Sequence, residues 1–355
     1  MKKSVLILSE VQFGYLTDTL KYSEYASDEF YITYIGWDCN KKKIEMPGVN
    51  VRYITRGSNW LERNIRLLRA FHKEIKLGYD LIFVNYRPGI SIVKLFNLRS
   101  NFVLDIRTLA VNPKLVVRFL RNLLLRVEIL FFKRISLVSD GVAKILNLKN
   151  YDILPLGGGC FSSQDKSFEN LSFLYVGTLY NRQIIDCVVG FHLFIEGRDA
   201  SKPLPVFTII GDSQSYELSE IRKYIVDNKL ENQIKALGEV PHNELHSFFE
   251  NCNVGISYIP RLSYYEYQPS TKTFEYLNSG LPVIGTSTFE NKKVIGEHAG
   301  VLIEDNSKSF LEGIHKMYAK KDSFSSTQIK NIFPESTWEW VVENKFVSLV
   351  KKWCE

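Results

Sequence analysis

Short runs of β-branched and aromatic residues alternate with longer helical patterns along this chain, and that alternation constrains its fold most. Strands that are separated by helices lie parallel in a sheet that the helices cover. The alternation stops at the polar stretch SSQDKSFEN (162–170) and restarts at LSFLYVG (171–177). A chain of 355 residues is long enough for about two domains. We therefore predict an α/β protein of two doubly wound, Rossmann-like domains facing a cleft, with a linker at 162–170 and ligands at the carboxyl ends of the strands.

The same patterns place the individual elements. Strands are predicted at 5–9, 30–36, 51–55, 80–86, 102–106, 135–139, 151–156, 171–177, 207–212, 234–240, 254–259, 281–286 and 300–304. Helices are predicted at 15–26, 58–77, 89–98, 112–134, 140–147, 181–197, 215–229, 242–251, 271–279, 290–297, 307–320 and 336–353.

Composition narrows the class of protein. Hydrophobic residues make up 45% of the chain and charged residues 24%, which excludes a disordered chain. The five cysteines form no C-x-x-C pair, which argues against a zinc ribbon or a disulfide scaffold and favours a reducing compartment. The first apolar run has four residues, too few for a secretory signal, and no run is long enough to span a membrane. We expect a cytoplasmic protein, and peripheral association with the inner face of the cell membrane stays open.

The positive charge is concentrated in one segment. Residues 52–134 hold 17 Lys and Arg against 5 Asp and Glu, a net charge of +12, whereas the whole chain has +6. Two basic stretches at 59–76 and 114–134, each within a predicted helix, carry most of it, and such helices suit an anionic membrane surface or an acceptor attached to one. Solvated helix faces over a sheet are the alternative interpretation. Nucleic acid is disfavoured, because the basic residues lie on helices and not among aromatics on a sheet face. The candidate residues of this surface are Arg63, Arg66, Arg69, Arg118 and Arg121.

Neither G-x-G-x-x-G nor a Walker A sequence occurs, which argues against a nicotinamide dehydrogenase and a P-loop NTPase. The segment YYEYQPSTKTFEYLNSGLPVIGT (264–286) instead predicts a loop, a helix with Ser270 as N-cap, a tight turn and a strand. Lys272 in the first turn opposes the helix dipole, so an anionic partner such as a diphosphate is expected. Glu275, one turn later, can bind the two hydroxyls of a ribose. An intrahelical Lys–Glu pair is the structural alternative.

Residues 269–286 resemble the nucleotide-binding segment of glycosyltransferase family 4 and related GT-B enzymes of the bacterial surface-polysaccharide type. Further stretches resemble that family in the same order, at 173–191, 207–212 and 234–260. LPLGG (154–158) resembles the interdomain linker, and the tryptophan-rich last helix resembles one that returns to the first domain. The resemblance implies an N-terminal acceptor-side domain (1–157), a C-terminal nucleotide-sugar domain (158–334) and a returning helix (335–355).

The resemblance also implies roles for single residues. Glu275 corresponds to the acid that binds the ribose, Arg182 and Lys272 to contacts of the diphosphate, and Gly177 and Thr178 to a backbone turn at the phosphates. The family pairs Glu275 with an acid eight positions earlier, where this chain has Tyr267, so Glu266, one residue before it, is the candidate contact of the donor sugar. An arginine of the family pattern is also missing, because Thr178 takes its place, and Arg261 is a further candidate for the pyrophosphate.

Three residues of the first domain are weaker candidates. Asp105 and Arg107 follow a predicted strand where family members carry groups near the donor sugar and the acceptor. An Asp–Arg pair that ties the strand end to its loop is equally open. Gly14 lies where related enzymes bring a loop to the donor, or in an ordinary βα turn.

The function implied is transfer of a sugar from a nucleoside-diphosphate sugar, UDP-linked as the first choice, to a saccharide acceptor that is lipid-linked. The resemblance to family 4 implies retention of anomeric configuration. No metal and no cofactor are expected, since His, Asp and Cys do not cluster along the sequence. Two alternatives stay open: a nucleotide-sugar epimerase of the same fold, and a non-catalytic subunit that binds sugar nucleotides.

Overall fold

The computed structural model describes residues 2–199, 203–213 and 215–355. These residues form two compact units. The first unit comprises Met1–Gly157 and Trp338–Glu355, and the second comprises Gly158–Thr337. Each unit has its own parallel sheet and its own hydrophobic core.

The described residues of the first unit form a seven-stranded parallel sheet in the order β3-β2-β1-β4-β5-β6-β7. One of its inner strands reads KSVLIL, and Val5, Leu6, Ile7 and Leu8 are all buried, because helices cover both faces of the sheet. The strands are β1 (Lys3–Leu8), β2 (Phe30–Asp38), β3 (Val49–Thr55), β4 (Leu81–Asn85), β5 (Phe102–Ile106), β6 (Arg134–Leu137) and β7 (Asp152–Ile153).

Helices join these strands, and the end of the chain adds another to the same unit. They are α1 (Thr17–Ala26), α2 (Trp60–Ile75), α3 (Ile90–Leu95), α4 (Leu115–Ile129) and α5 (Asp140–Leu146), followed at the C-terminus by α13 (Trp338–Val341), a π turn (Val342–Phe346) and α14 (Val347–Cys354). Phe346 stacks on Tyr22 at 4.5 Å between ring centroids, and Trp353 lies 6.3 Å from Phe83. The last helix is therefore part of the core of the first unit.

The described residues of the second unit form a six-stranded parallel sheet in the order β10-β9-β8-β11-β12-β13. Its strands are β8 (Ser172–Val176), β9 (Val206–Ile210), β10 (Ile234–Gly238), β11 (Val254–Ser257), β12 (Val283–Thr286) and β13 (Gly300–Ile303). Its helices are α6 (Ile185–Glu196), α7 (Glu217–Asp227), α8 (Leu245–Asn251), α9 (Thr271–Asn278), α10 (Phe289–Val294), α11 (Ser307–Lys320) and α12 (Ser326–Lys330), with 3₁₀ turns at His242–Glu244, Lys321–Ser323 and Pro334–Ser336.

The predicted class of fold, with two doubly wound parallel sheets, is confirmed. The linker predicted at 162–170 is wrong, since those residues belong to the second unit. Lys166 donates hydrogen bonds to the carbonyls of Phe249 and Glu250, and the carbonyl of Ser167 accepts from Asn253. The polar composition of 162–170 was therefore not a sign of an interdomain linker, because polar groups of this stretch form hydrogen bonds within the second unit.

Candidate functional site

The carboxyl ends of β8 and β9 approach each other closely in the second unit. Gly177 has a φ of 150° and Gly211 a φ of 140°, a region that favours glycine. A Cβ atom on Gly211 would lie 1.8 Å from the carbonyl oxygen of Gly177, and one on Gly177 would lie 2.8 Å from Nζ of Lys272. Glycine at both positions thus allows the two strand ends and a lysine side chain to meet at one point.

The loop between β8 and α6 holds Arg182 between two residues of unusual backbone conformation. Asn181 and Gln183 both have a φ of 54°, in the left-handed region. Side chains other than glycine and asparagine rarely adopt it, and such residues concentrate at functional sites. The guanidinium carbon of Arg182 lies 4.3 Å from the ring centroid of Tyr265, a cation–π contact that orients the side chain.

Lys272 is in the first turn of α9, as predicted, and its side chain turns towards β8. Ser270 occupies the N-cap position but makes no side-chain hydrogen bond there. Nζ of Lys272 lies 4.1 Å from the ring centroid of Tyr175, whose hydroxyl donates to the carbonyl of Thr178 at 2.6 Å. Desolvation, and then the charge of Arg182, lower the pKa of Lys272 to about 7. The charge of Arg182 thus disfavours the protonated form of Lys272, and an added anion would favour that form again.

Glu275 lies one turn further along α9. Burial raises the pKa of its carboxyl to about 7, against the opposing charge of Lys272. Among the described residues, neither Lys272 nor Glu275 makes an ion pair within 4.0 Å. The intrahelical pair that was the structural alternative is thus not formed. We call Gly177, Arg182, Lys272 and Glu275 the Lys272 cluster.

A pocket of about 820 Å³ opens beside this cluster, at the ends of β8, β9 and β10. Gly177 and Thr178 line it, together with Asp212, Ser213 and Glu239, which the sequence analysis did not single out. Asp212 and Glu239 lie within the last two residues of predicted strands and Ser213 follows one directly, which was the signal available for them. Lys272, Arg182 and Glu275 are not lining residues, so the cluster adjoins the pocket through the Gly177 turn.

Glu266 is not part of the Lys272 cluster. Its carboxylate accepts a hydrogen bond from the backbone N–H of Phe289 at 3.0 Å, at the start of α10, and lies 3.9 Å from Arg261. The ring of Tyr267, at the position of the missing family acid, packs against Phe289 at 4.9 Å between centroids. The role of Glu266 as a contact of the donor sugar stays a prediction.

Asp105 and Arg107 lie in the first unit, at the end of β5. Asp105 is fully buried, where it accepts hydrogen bonds from Ser136 at 2.7 Å and Asn85 at 3.1 Å. Burial raises the pKa of Asp105 to about 6. Arg107 lies 3.7 Å from this carboxylate and donates to Asp18 at 2.6 Å. These contacts anchor the end of β5 to neighbouring elements. The catalytic role of Asp105 and Arg107 stays a prediction.

Gly14 occupies the turn after β1 with a φ of 91°. A Cβ atom there would lie 2.2 Å from Cδ1 of Ile44. The conformation and the packing by themselves require glycine at this position. A role of Gly14 towards the donor stays a prediction.

The five arginines of the predicted basic surface differ in the contacts that their side chains make. Arg63 donates to two backbone carbonyls before α2 at 2.7 and 3.0 Å, and Arg66 pairs with Glu62 one turn earlier. Arg118 donates to a carbonyl before α4 at 3.0 Å. Arg69 and Arg121 are exposed. The first three thus also contribute to local structure at the starts of their helices.

Metal-binding clusters and membrane-spanning helices are both absent from the described part of the chain. No group of three or more His, Cys, Asp or Glu there is placed to hold a metal ion. No helix in the same part is long and apolar enough to cross a membrane.

Residues 171–320 match the family model described as glycosyl transferases group 1. That range contains the whole Lys272 cluster. A comparison with curated proteins finds no match.

Solved structures resemble the chain over nearly its full length. A sucrose-phosphate synthase from Thermosynechococcus elongatus has a TM-score of 0.75 at 14% identity, with 99% of this chain and 98% of that chain covered. A glycosyltransferase from Rickettsia africae has a TM-score of 0.74 at 12% identity, with 100% and 99% covered. Anabaena HepE in complex with UDP has a TM-score of 0.73 at 14% identity, with 99% and 100% covered. These likenesses establish the fold, the GT-B class.

Proposed function

We propose that this chain is a retaining glycosyltransferase similar to family 4. It transfers a sugar from a nucleoside-diphosphate sugar, UDP-linked as the first choice, to a hydroxyl of a lipid-linked saccharide in surface-polysaccharide assembly. The observation that carries the proposal is the Lys272 cluster, which gathers two cations and an uncommitted carboxyl at the carboxyl edge of the second sheet. The match of residues 171–320 to a glycosyltransferase family model supports it, as does a structural neighbour that binds UDP.

Arg182 and Lys272 supply what a departing nucleoside diphosphate needs. Bond cleavage at the sugar leaves negative charge on the diphosphate, and prepositioned cations stabilise that charge in the transition state. Both cations are already held by aromatic rings at 4.3 and 4.1 Å, so little reorganisation is required. With retention, no dedicated general base is needed, and the remaining contribution of the protein is to position the acceptor.

Glu275 is the proposed ligand of the ribose hydroxyls. A charge-assisted hydrogen bond contributes about 1.5–3 kcal/mol, so Glu275→Ala should weaken donor binding roughly tenfold to hundredfold. Calorimetric titration with UDP checks this, with Glu312→Ala on α11 as the matched control. Equal UDP affinity in Glu275→Ala and the unmodified protein would remove Glu275 from the donor site.

Release of nucleotide from a panel of nucleotide sugars, with and without saccharide acceptors, tests the activity itself. Acceptor-dependent release supports the transferase. Conversion of the donor sugar without an acceptor would indicate the epimerase instead. Tight binding of UDP without any turnover would indicate a non-catalytic subunit.

A membrane surface is the proposed location of the acceptor. The outward side of α4 is apolar, with Leu115 70% exposed, Phe119 64% and Leu120 56%, and Arg121 beside them is exposed too. Large exposed apolar patches mark interaction sites, and a helix with interspersed arginines and exposed leucines suits the interface of an anionic bilayer. We propose that α2 and α4 face the inner leaflet, with apolar insertion contributing alongside charge.

A further inference from the structure

The first unit contains a second pocket, of about 700 Å³, beside the ends of β4 and β5. Its polar lining includes Glu10, Asn64, Arg87 and Arg121, and its apolar lining includes Trp60, Ile92 and Leu124. The carboxyl edge of a parallel sheet is where such sheets bind ligands. Of the lining residues just named, Arg121 alone is among those predicted from the sequence.

Arg87 is the unusual residue of this pocket. It is 95% buried, since only 5% of its surface is exposed, yet its Nε and Nη1 atoms have no hydrogen-bond acceptor among the described residues. Nη2 donates to Asn64, and Nε lies 3.6 Å from a carboxylate oxygen of Glu10, too far for a hydrogen bond. A buried guanidinium with unused N–H groups is costly, so the site is incomplete without an acceptor.

The surrounding charges leave room for an anion. Glu128, a buried carboxylate whose charge acts on Arg87, is partly engaged elsewhere: its Oε1 accepts hydrogen bonds from the backbone N–H of Gly89 and the hydroxyl of Ser91, both at 2.8 Å, whereas its Oε2 has no hydrogen-bond partner among the described residues. Glu10 is 53% exposed at its side chain and can turn away into solvent. Arg121 supplies a second cation at the rim. A guanidinium matches the oxygens of a phosphate with paired N–H groups.

The apolar side of the pocket indicates the rest of the ligand. Trp60 is 76% exposed and Ile92 48%, and Leu124 lies on α4 in continuity with the exposed Leu120. A hydrocarbon chain can lie along these side chains while its phosphate lies at Arg87. We propose that this pocket binds the phosphate group of a phosphorylated amphiphile. The inference rests on the proposed function in so far as such a molecule carries the saccharide acceptor.

Calorimetric titration of the full chain with octyl phosphate, below its micelle concentration, tests the proposal. Octyl glucoside tests the chain without the phosphate, and inorganic phosphate tests the phosphate without the chain. Octyl phosphate should bind at least tenfold tighter than either. Equal binding of octyl glucoside would make this a merely apolar pocket, and equal binding of inorganic phosphate would make it a site for soluble phosphates. Either result would overturn the proposal.

Three variants identify the site. Arg87→Met should weaken octyl phosphate binding about tenfold to hundredfold. Glu10→Gln should strengthen it several-fold, because a competing carboxylate is removed, and a purely structural role of Arg87 would give no such gain. Arg87 is buried, so its replacement also affects folding. Arg121→Gln changes an exposed side chain and should by itself weaken octyl phosphate binding at least threefold. Arg99→Gln, at another exposed arginine, is the matched control. Unchanged binding in both Arg121→Gln and Glu10→Gln refutes the site.

The same titrations with UDP separate this inference from the proposed function. The Arg87→Met, Arg121→Gln and Glu10→Gln variants should all bind UDP like the unmodified protein, because the donor site is proposed in the second unit. A protein that binds UDP and transfers sugar but ignores octyl phosphate contradicts only the amphiphile site. A protein that binds octyl phosphate as expected but never binds UDP contradicts only the donor assignment.

Discussion

Binding of UDP should take up a proton at Lys272. With a pKa of about 7, this lysine is only about one-tenth protonated at pH 8. A bound diphosphate favours the charged amine and returns its pKa towards the ordinary 10.5, so the lysine is nearly fully protonated in the complex. The difference is about 0.9 proton per UDP at pH 8, and the affinity should fall about tenfold between pH 8 and pH 9.

Calorimetry at pH 8 in two buffers of different ionisation enthalpy measures this uptake directly. Lys272→Met should bind UDP more weakly and lose the uptake. Glu275→Gln should keep it, because a carboxyl with a pKa of about 7 is already ionised in the free protein at pH 8. Lys223→Met, at an exposed lysine of α7, is the matched control and should behave like the unmodified chain.

Two results would refute this reasoning. The first is an apparent binding enthalpy that does not depend on the buffer, which means that Lys272 is already charged in the free protein or stays neutral in the complex. The second is an unchanged uptake in Lys272→Met, which means that another group takes the proton. A failure of UDP to bind at all would count against the proposed function instead.

Three further predictions concern other groups. The native pKa of Glu275 is about 7 against an ordinary 4.5, so native protein retains a proton that unfolded chains release. The free energy of unfolding should therefore be highest, as far as Glu275 is concerned, below pH 4.5 and should fall as the pH rises to 7. Urea unfolding should show that this fall is absent in Glu275→Gln. Arg182→Ala should weaken UDP binding at least tenfold but leave uridine binding unchanged; equal losses would mark a structural role. Phe119→Ser combined with Leu120→Ser should reduce binding to anionic vesicles, including the part that persists at high salt, whereas Val226→Ser on α7 should not; vesicle sedimentation measures both.

The sequence by itself determined the fold class and the position of the nucleotide segment. Local patterns carried this information, because period-2 and period-3.6 runs reflect burial on a sheet or on one helix face. For example, β5 and α11 have the predicted bounds, 102–106 and 307–320. The short segment around Lys272 and Glu275 contains a helix start, a turn and a strand, all of which depend on neighbouring residues.

Tertiary structure decided how distant residues meet. Spacing left open whether Lys272 pairs with Glu275. In the fold, α9 packs against β11 and β12, and Nζ of Lys272 lies over the ring of Tyr175 in β8. The polar stretch at 162–170 has the composition of a linker, yet hydrogen bonds to residues about 80 positions away hold it in the second unit.

Arg87 is the clearest example of a residue that the sequence could not identify and the tertiary structure does. No motif surrounds it, and its importance lies in being buried with unused N–H groups next to Glu10 and Arg121, which are distant in sequence. Desolvation and hydrogen-bond satisfaction depend on all neighbours in space. A one-dimensional pattern contains no information about these neighbours until the chain has folded.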